Sequence, residues 1–209
     1  MKRYIKTFLF ISFSIALVSS TCFISSCTKD VITPAGNTNG QYLNSNKGSS
    51  WVYTIDSAGN TSNVVVTDST VMAFGKKFTN FHNTYPSGTV YRNFYTYQDG
   101  QYSMMITSAA GSQQELIYLK DNVKEGDKWN NTVTPVSTPL LYEYEVTGID
   151  GTRMVNSLTF TGVVRVHCTI ASINYQSEAY YAPKVGLIEL EEVYTTSKYS
   201  TKLKSYLLK

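Results

Sequence analysis

The residues best placed to do chemistry are two pairs of carboxylates, Glu143 with Glu145 and Glu189 with Glu191. In a strand, residues two apart share a face and stand about 7 Å from each other, a spacing that suits the paired acids of a glycosidase. Alternating acids also keep the wet face of a sheet soluble, and that reading is favoured here. The two histidines, His82 beside Phe81 and His167 beside Arg165, sit in alternating stretches. They read as exposed or hydrogen-bonded strand residues rather than as a base or a metal ligand. Cys168 shares its register with Val164, Val166 and Ile170, so it reads as a small buried hydrophobe, not a nucleophile. The run Asp121–Asp127 offers oxygens near Gly126, but Val123 occupies a position where a calcium loop needs oxygen and Lys124 adds positive charge. Gly75-Lys76 has Thr70 where a phosphate loop needs its first glycine, and G-x-S-x-G, H-E-x-x-H and C-x-x-C are absent. No catalytic residue, metal site or cofactor is assigned, and the expectation is a protein that is not an enzyme.

Aromatic residues are the compositional excess: 28 in the chain, five of them before residue 27. Tyr91, Tyr95 and Tyr97 share one strand face, with Val90 and Phe94 on the other. A tyrosine offers a flat apolar surface with a polar handle, so this face is a candidate contact for a glycan, a lipid or an envelope protein. The competing reading is that Tyr is simply common in strands and cross-strand pairs.

The elements that would position these groups begin after an address label. Lys2, Arg3 and Lys6 precede an apolar stretch from Thr7 to about Val18, the layout of a secretory signal and too short to span a bilayer. Ile24-Ser25-Ser26-Cys27 resembles the bacterial lipobox, which implies cleavage after Ser26 and diacylglycerol on the Cys27 thiol; Cys22 fits less well, with Ser19 where an aliphatic residue is expected. Two or three acyl chains would hold the protein on a membrane. Cleavage removes three bases and no acids from 18 and 15, leaving the remainder formally neutral. The overall basicity is therefore no argument for nucleic acid. With Cys22 removed and Cys27 acylated, Cys168 has no partner for an intramolecular disulfide, and stability must come from an apolar core.

Residues 27–40 are rich in Thr, Gly, Asn and Pro without periodicity and read as a flexible tether. From residue 41 to 209 the pattern is one β-rich domain. Leu140, Tyr142, Tyr144 and Val146 alternate with Glu143 and Glu145, and Val164 to Ile170 alternate with Arg165 and His167. Asp99-Gly100 marks a tight hairpin and Gly75-Lys76 another turn. Strands are expected at Val64–Val66, Val71–Phe74, Lys77–Tyr85, Thr89–Gln98, Gln101–Thr107, Gln113–Lys120, Leu140–Thr147, Thr152–Phe160, Val163–Ala171, Tyr175–Ala182, Leu187–Thr195 and Lys198–Leu208, beside the one carrying Trp51 and Tyr53. One-sided strands joined by short turns predict an all-β antiparallel meander of ten to thirteen strands, curled into a half-barrel or a two-layer sandwich. The lysines of the last strand suit an exposed edge. Trp51 and Trp129 head two similar series, compatible with two related halves.

Tyr42-Leu43 through Tyr53, Gly75-Lys76-Lys77-Phe78, Glu125-Gly126-Asp127-Lys128-Trp129 and the segment from Tyr180-Tyr181-Ala182 to Val185-Gly186-Leu187 resemble a loose class of Bacteroidetes lipoproteins of unknown function. The resemblance implies an exported, lipid-anchored, all-β protein of the outer membrane, on its periplasmic or surface side, and transfers no active site. Asp56-Ser57-Ala58 and Asp68-Ser69-Thr70 resemble the Bacteroidetes O-glycosylation acceptor, which makes Ser57 and Ser69 candidate modification sites. Two functions follow as expectations: a binding or scaffolding module of the envelope, or a carrier or sensor of a lipid or other apolar ligand. A hydrolase using paired glutamates is a third reading.

Overall fold

A computed structural model describes residues 42–55 and 58–209. Cys22, Cys27, the tether and Ser57 lie outside the described residues. Twelve strands follow in order: β1 Ser50–Thr54, β2 Thr61–Ala73, β3 Lys76–Thr84, β4 Val90–Gln98, β5 Gln101–Thr107, β6 Gln113–Lys120, β7 Lys128–Val133, β8 Leu140–Val155, β9 Leu158–Ile170, β10 Tyr175–Ala182, β11 Gly186–Tyr194 and β12 Ser197–Leu207. A single 3-10 turn, Ala171–Ile173, joins β9 to β10, and no other helical element occurs among the described residues. The all-β antiparallel expectation therefore holds, and the sheet curls further than a half-barrel.

Every ladder is antiparallel, with β2-β3-β4-β5-β6 forming one run and β1-β12-β11-β10-β9-β8-β7 the other. The two runs meet at two seams, giving a nearly closed barrel. At the first, Val66 N–H donates to Ser49 O and Gly48 N–H to Val66 O, beside β1. At the second, side chains replace the ladder. Asn131 of β7 accepts the Ile117 N–H at 3.1 Å and donates to the Ile117 carbonyl at 3.0 Å. Gln114 of β6 does the same for Thr134, donating at 3.2 Å and accepting at 2.5 Å. Each side-chain amide stands in for a strand's own peptide group, and in a closed wall few backbone groups are left to template aggregation.

Alternation decides which residues face inward. Tyr142, Tyr144 and Val146 of β8 and Val164, Val166 and Cys168 of β9 are buried, and they pack with Trp51, Phe81, Tyr95 and Leu203 into one core. Turns supply the reversals: Phe74-Gly75 and Asp99-Gly100 adopt positive φ at both central positions, the geometry that a two-residue hairpin needs.

Four expectations are corrected. Val64–Val66 and Val71–Phe74 belong to one strand, β2, interrupted by a register shift between Val66 and Thr70. Thr152–Phe160 is not a strand but straddles the β8–β9 reversal, where Asn156 takes φ 53°; β8 continues past Thr147 through Gly148 and Gly151, where its register slips. Lys128–Val133 was not expected as a strand; its polar Lys128, Asn130 and Thr132 hide the alternation of Trp129, Asn131 and Val133. The last strand is not an edge, since β12 lies between β1 and β11. Its lysines point outward, and Lys202 pairs with Glu189 at 3.0 Å.

Candidate functional site: a tyrosine-walled cavity

Because the wall closes and its inward residues are mostly rings, they meet stacked, tilted or edge to face around the axis without filling it. A cavity of about 130 Å³ remains, lined from nearly every strand. Trp51 stacks on Phe81 with centroids 6.0 Å apart, Phe81 meets Tyr95 at 5.0 Å, Tyr95 meets Tyr118 at 5.9 Å and Tyr118 meets Tyr181 at 6.0 Å. This arc of five rings runs from β1 across one sheet and onto β10 of the other. Tyr53, Tyr142, Tyr144, Tyr175, Cys168 and Leu190 are among the other residues of the wall.

Each ring is held from its polar end or by packing. Trp51 Nε1 donates to Val185 O at 2.8 Å and Tyr53 Oη to Leu187 O at 2.5 Å, so β1 is pinned to the β10–β11 reversal. Burial raises the phenol pKa of Tyr53, Tyr118, Tyr142, Tyr144, Tyr175 and Tyr181 above the ordinary value. The hydroxyls therefore stay protonated at physiological pH and can donate hydrogen bonds. Among the described residues no Lys, Arg or His lines the cavity. Burial likewise pushes the Cys168 thiol up to about 12, which removes it as a nucleophile at neutral pH.

At the pole where the described chain begins, Tyr42 bridges the two runs of strands. Its N–H donates to the Tyr102 hydroxyl at 3.0 Å, and its carbonyl lies against Gly186 on the far side. A Cβ at position 186 would sit 3.0 Å from that carbonyl, and the φ of +91° also favours glycine. Tyr102 donates in turn to Asp121 Oδ1 at 2.6 Å, and Tyr97 to Oδ2. Tyr42 and Leu43 thus roof one end of the cavity.

Beside the lining residues Tyr175 and Ser177, outside the cavity itself, lies a buried acid. Glu192 of β11 is 1% exposed, and its Oε1 accepts from the Tyr175 hydroxyl at 2.7 Å. Its Oε2 has no hydrogen-bond partner among the described residues. Burial, partly offset by the Tyr175 bond, raises its pKa to about 7. Sequence reasoning passed over this residue, although it shares parity with Leu190 in the run Glu189-Leu190-Glu191-Glu192. That parity was the available signal.

The sequence candidates distribute as follows. Tyr91, Tyr95 and Tyr97 do share the inner face of β4, but only Tyr95 lines the cavity. Tyr97 packs on Tyr102 near the roof, at 4.7 Å, and Tyr91 is 39% exposed beside Tyr85 at the opposite pole. Glu143, Glu145, Glu189, Glu191 and His167 lie on the outer wall, alternating with the inward residues. Glu189 is held by Arg153 at 2.7 Å and Lys202 at 3.0 Å, Glu191 by Arg153 at 3.3 Å and Glu145 by Lys128 at 2.9 Å. His167 Nδ1 lies 2.8 Å from Glu178. Among the described residues no three of His, Cys, Asp and Glu gather as a metal site. Ser69 is exposed on β2, next to Asp68, which is paired with Lys47.

Two solved structures resemble the barrel. One is a Bacteroides fragilis protein described as exported, with a YmcC-like fold: TM-score 0.51, 11% identity, covering 80% of this chain and 99% of that one. The two share a fold. The other, described as a lipoprotein from Parabacteroides distasonis, aligns at TM-score 0.47 and 13% identity over 82% of this chain and 100% of that one. No family model and no curated protein matches the sequence.

Proposed function

We propose that this is a non-enzymatic lipoprotein of the bacterial cell envelope whose barrel holds a small ring-shaped, apolar molecule in its interior. The cavity carries the reading, because its walls are mostly aromatic and aliphatic and no cation among the described residues lines it. A fatty acid would bring a carboxylate that finds no counter-charge there, and burying such a charge unpaired is costly. The volume is also far below that of a diacyl lipid and close to the roughly 150 Å³ cavity known to accept benzene. Of the two expectations, the carrier or sensor is therefore preferred to a flat scaffolding surface, and the ligand is smaller than a lipid. The envelope location is supported by the signal-like N-terminus and the lipobox resemblance at Cys27.

Replacing Cys27 with Ser should release the protein from the membrane fraction of its own cells into the soluble fraction; a variant that stays membrane-bound would remove acylation from the account. For the cavity, titration with indole should raise the thermal midpoint. Saturation at 100 times Kd corresponds to about 2.7 kcal/mol of added stability. Ala179→Phe, which fills the cavity from β10, should abolish the effect while leaving the fold intact. If indole and toluene both leave the wild-type midpoint unmoved, the interior is not a binding site.

A further inference from the structure

We propose that the cavity selects a neutral aryl carbonyl compound, a single ring whose carbonyl oxygen is held by the hydroxyls of Tyr118 and Tyr181. The inference rests on the barrel holding a small ring and adds the polar atom that the ring must carry. Both tyrosines line the cavity, with ring centroids 6.0 Å apart. Each is set beside a β-bulge. In the β5–β6 ladder Tyr102 pairs with Leu119 and Ser103 with Ile117, so Tyr118 is the extra residue between them. In the β10–β11 ladder Tyr180 pairs with Glu189 and Tyr181 with Leu187, which leaves Ile188 as the extra residue. A bulge re-aims the side chains next to it, and here two bulges, one in each run of strands, bring two phenols to one place.

Three other phenols of the chamber are engaged: Tyr53 donates to the Leu187 carbonyl, Tyr175 to Glu192 and Tyr144 to the Cys168 sulfur. Tyr118 and Tyr181 have no hydrogen-bond partner among the described residues, and neither hydroxyl is sealed off from accessible space. Tyr118 is half-buried, yet burial is the main cause that holds its phenol well above the ordinary value, with the Tyr181 phenol next. The surface it leaves open therefore belongs to the cavity and not to bulk water. A phenol donates a hydrogen bond more readily than it accepts one, because its lone pair is drawn into the ring, and a carbonyl oxygen can accept two. An unmet hydroxyl in an apolar chamber is costly, and an acceptor carried in by the ligand removes that cost. With no cation among the described lining residues, the acceptor is an uncharged carbonyl and not a carboxylate. The volume of about 130 Å³ admits one ring on a short arm.

The test is calorimetric titration of the purified protein with acetophenone, its isosteric hydrocarbon α-methylstyrene, and benzoate. Acetophenone should bind about 10-fold more tightly than the hydrocarbon, the gain expected of two hydrogen bonds to one oxygen. Benzoate should bind at least about 10-fold more weakly than acetophenone. Tyr118→Phe and Tyr181→Phe keep both rings. Each alone should cost the ketone about 3-fold, and together they should erase its advantage while the hydrocarbon binds as before, which also reports that the barrel has folded. The infrared carbonyl stretch of bound acetophenone should move to lower frequency in the wild type and not in the double variant. Equal affinities for ketone and hydrocarbon in the wild type, a preference that survives both substitutions, or benzoate bound as tightly as the ketone would overturn the assignment of the two hydroxyls and leave the apolar binding site standing. Failure of ketone and hydrocarbon alike to bind the wild type would remove the cavity reading along with it.

Discussion

Glu192→Gln should make the protein more stable than the wild type at pH 8 by about 3 kcal/mol more than it does at pH 4. The folded state holds the carboxyl proton up to about pH 7, against an ordinary value of 4.5 in the unfolded chain. Between those values the folded protein binds more protons than the unfolded one, so stability falls as pH rises through the window. A displacement of that size amounts to about 3 kcal/mol, fully present below pH 4.5 and lost above pH 7. Glutamine is uncharged throughout and keeps an acceptor for the Tyr175 hydroxyl. The difference between the two proteins therefore isolates this one group from every other titration. Urea unfolding at pH 4, 6 and 8 measures it. A difference that does not change with pH would mean that the carboxyl is solvated or paired and titrates as an ordinary acid.

Breaking the β6–β7 seam should cost about 2 kcal/mol and localise its damage. Asn131→Leu removes the acceptor for the Ile117 N–H and one of two donors to the Ile117 carbonyl, while Trp129 Nε1 keeps its own bond to that carbonyl at 2.9 Å. An unsatisfied, partly buried amide costs on the order of 1–3 kcal/mol. Asn131→Asp retains the acceptor and should cost less. Denaturant unfolding reports the total, and amide hydrogen exchange reports the place: Ile117 should lose protection before Phe81 or Val166, which sit inside regular ladders. Unchanged stability and unchanged exchange at Ile117 would show that packing alone closes the barrel there.

Much of the wall was legible because one face of each strand is dry. The alternation through Tyr142–Val146 and Val164–Ile170 identified inward residues that do line or flank the cavity. Asp99-Gly100 marked its turn because few residue pairs tolerate positive φ at both positions. What was lost follows from register. Slips in β2 and β8 break the two-residue period on which sequence reading depends. β7 was missed because a seam strand bonded through Asn131 is polar where a ladder strand would be apolar. The closure of the sheet was illegible for a different reason: whether β12 is an edge depends on where β1 lies, and no local pattern encodes a partner as distant in sequence as Leu207 is from Ser50. Glu192 was hidden among neighbouring acids: Glu189 is covered on the outer wall by Arg153 and Lys202, Glu191 is exposed, and Glu192 alone turns inward without a cation.

The pairing of the first strand with the last has a consequence for biogenesis. Ser50 lies opposite Leu207, the Asn46 side chain donates to the Lys209 carbonyl at 2.6 Å, and the Lys209 N–H donates to Ser49 Oγ at 2.9 Å. Contacts this distant in sequence slow folding, because chain entropy is lost before any stabilisation is gained. A chain made from its amino end cannot close this barrel until β12 is available to pair with β1, so the wall stays open, and its partly formed sheets stay pliable, until that last pairing is made.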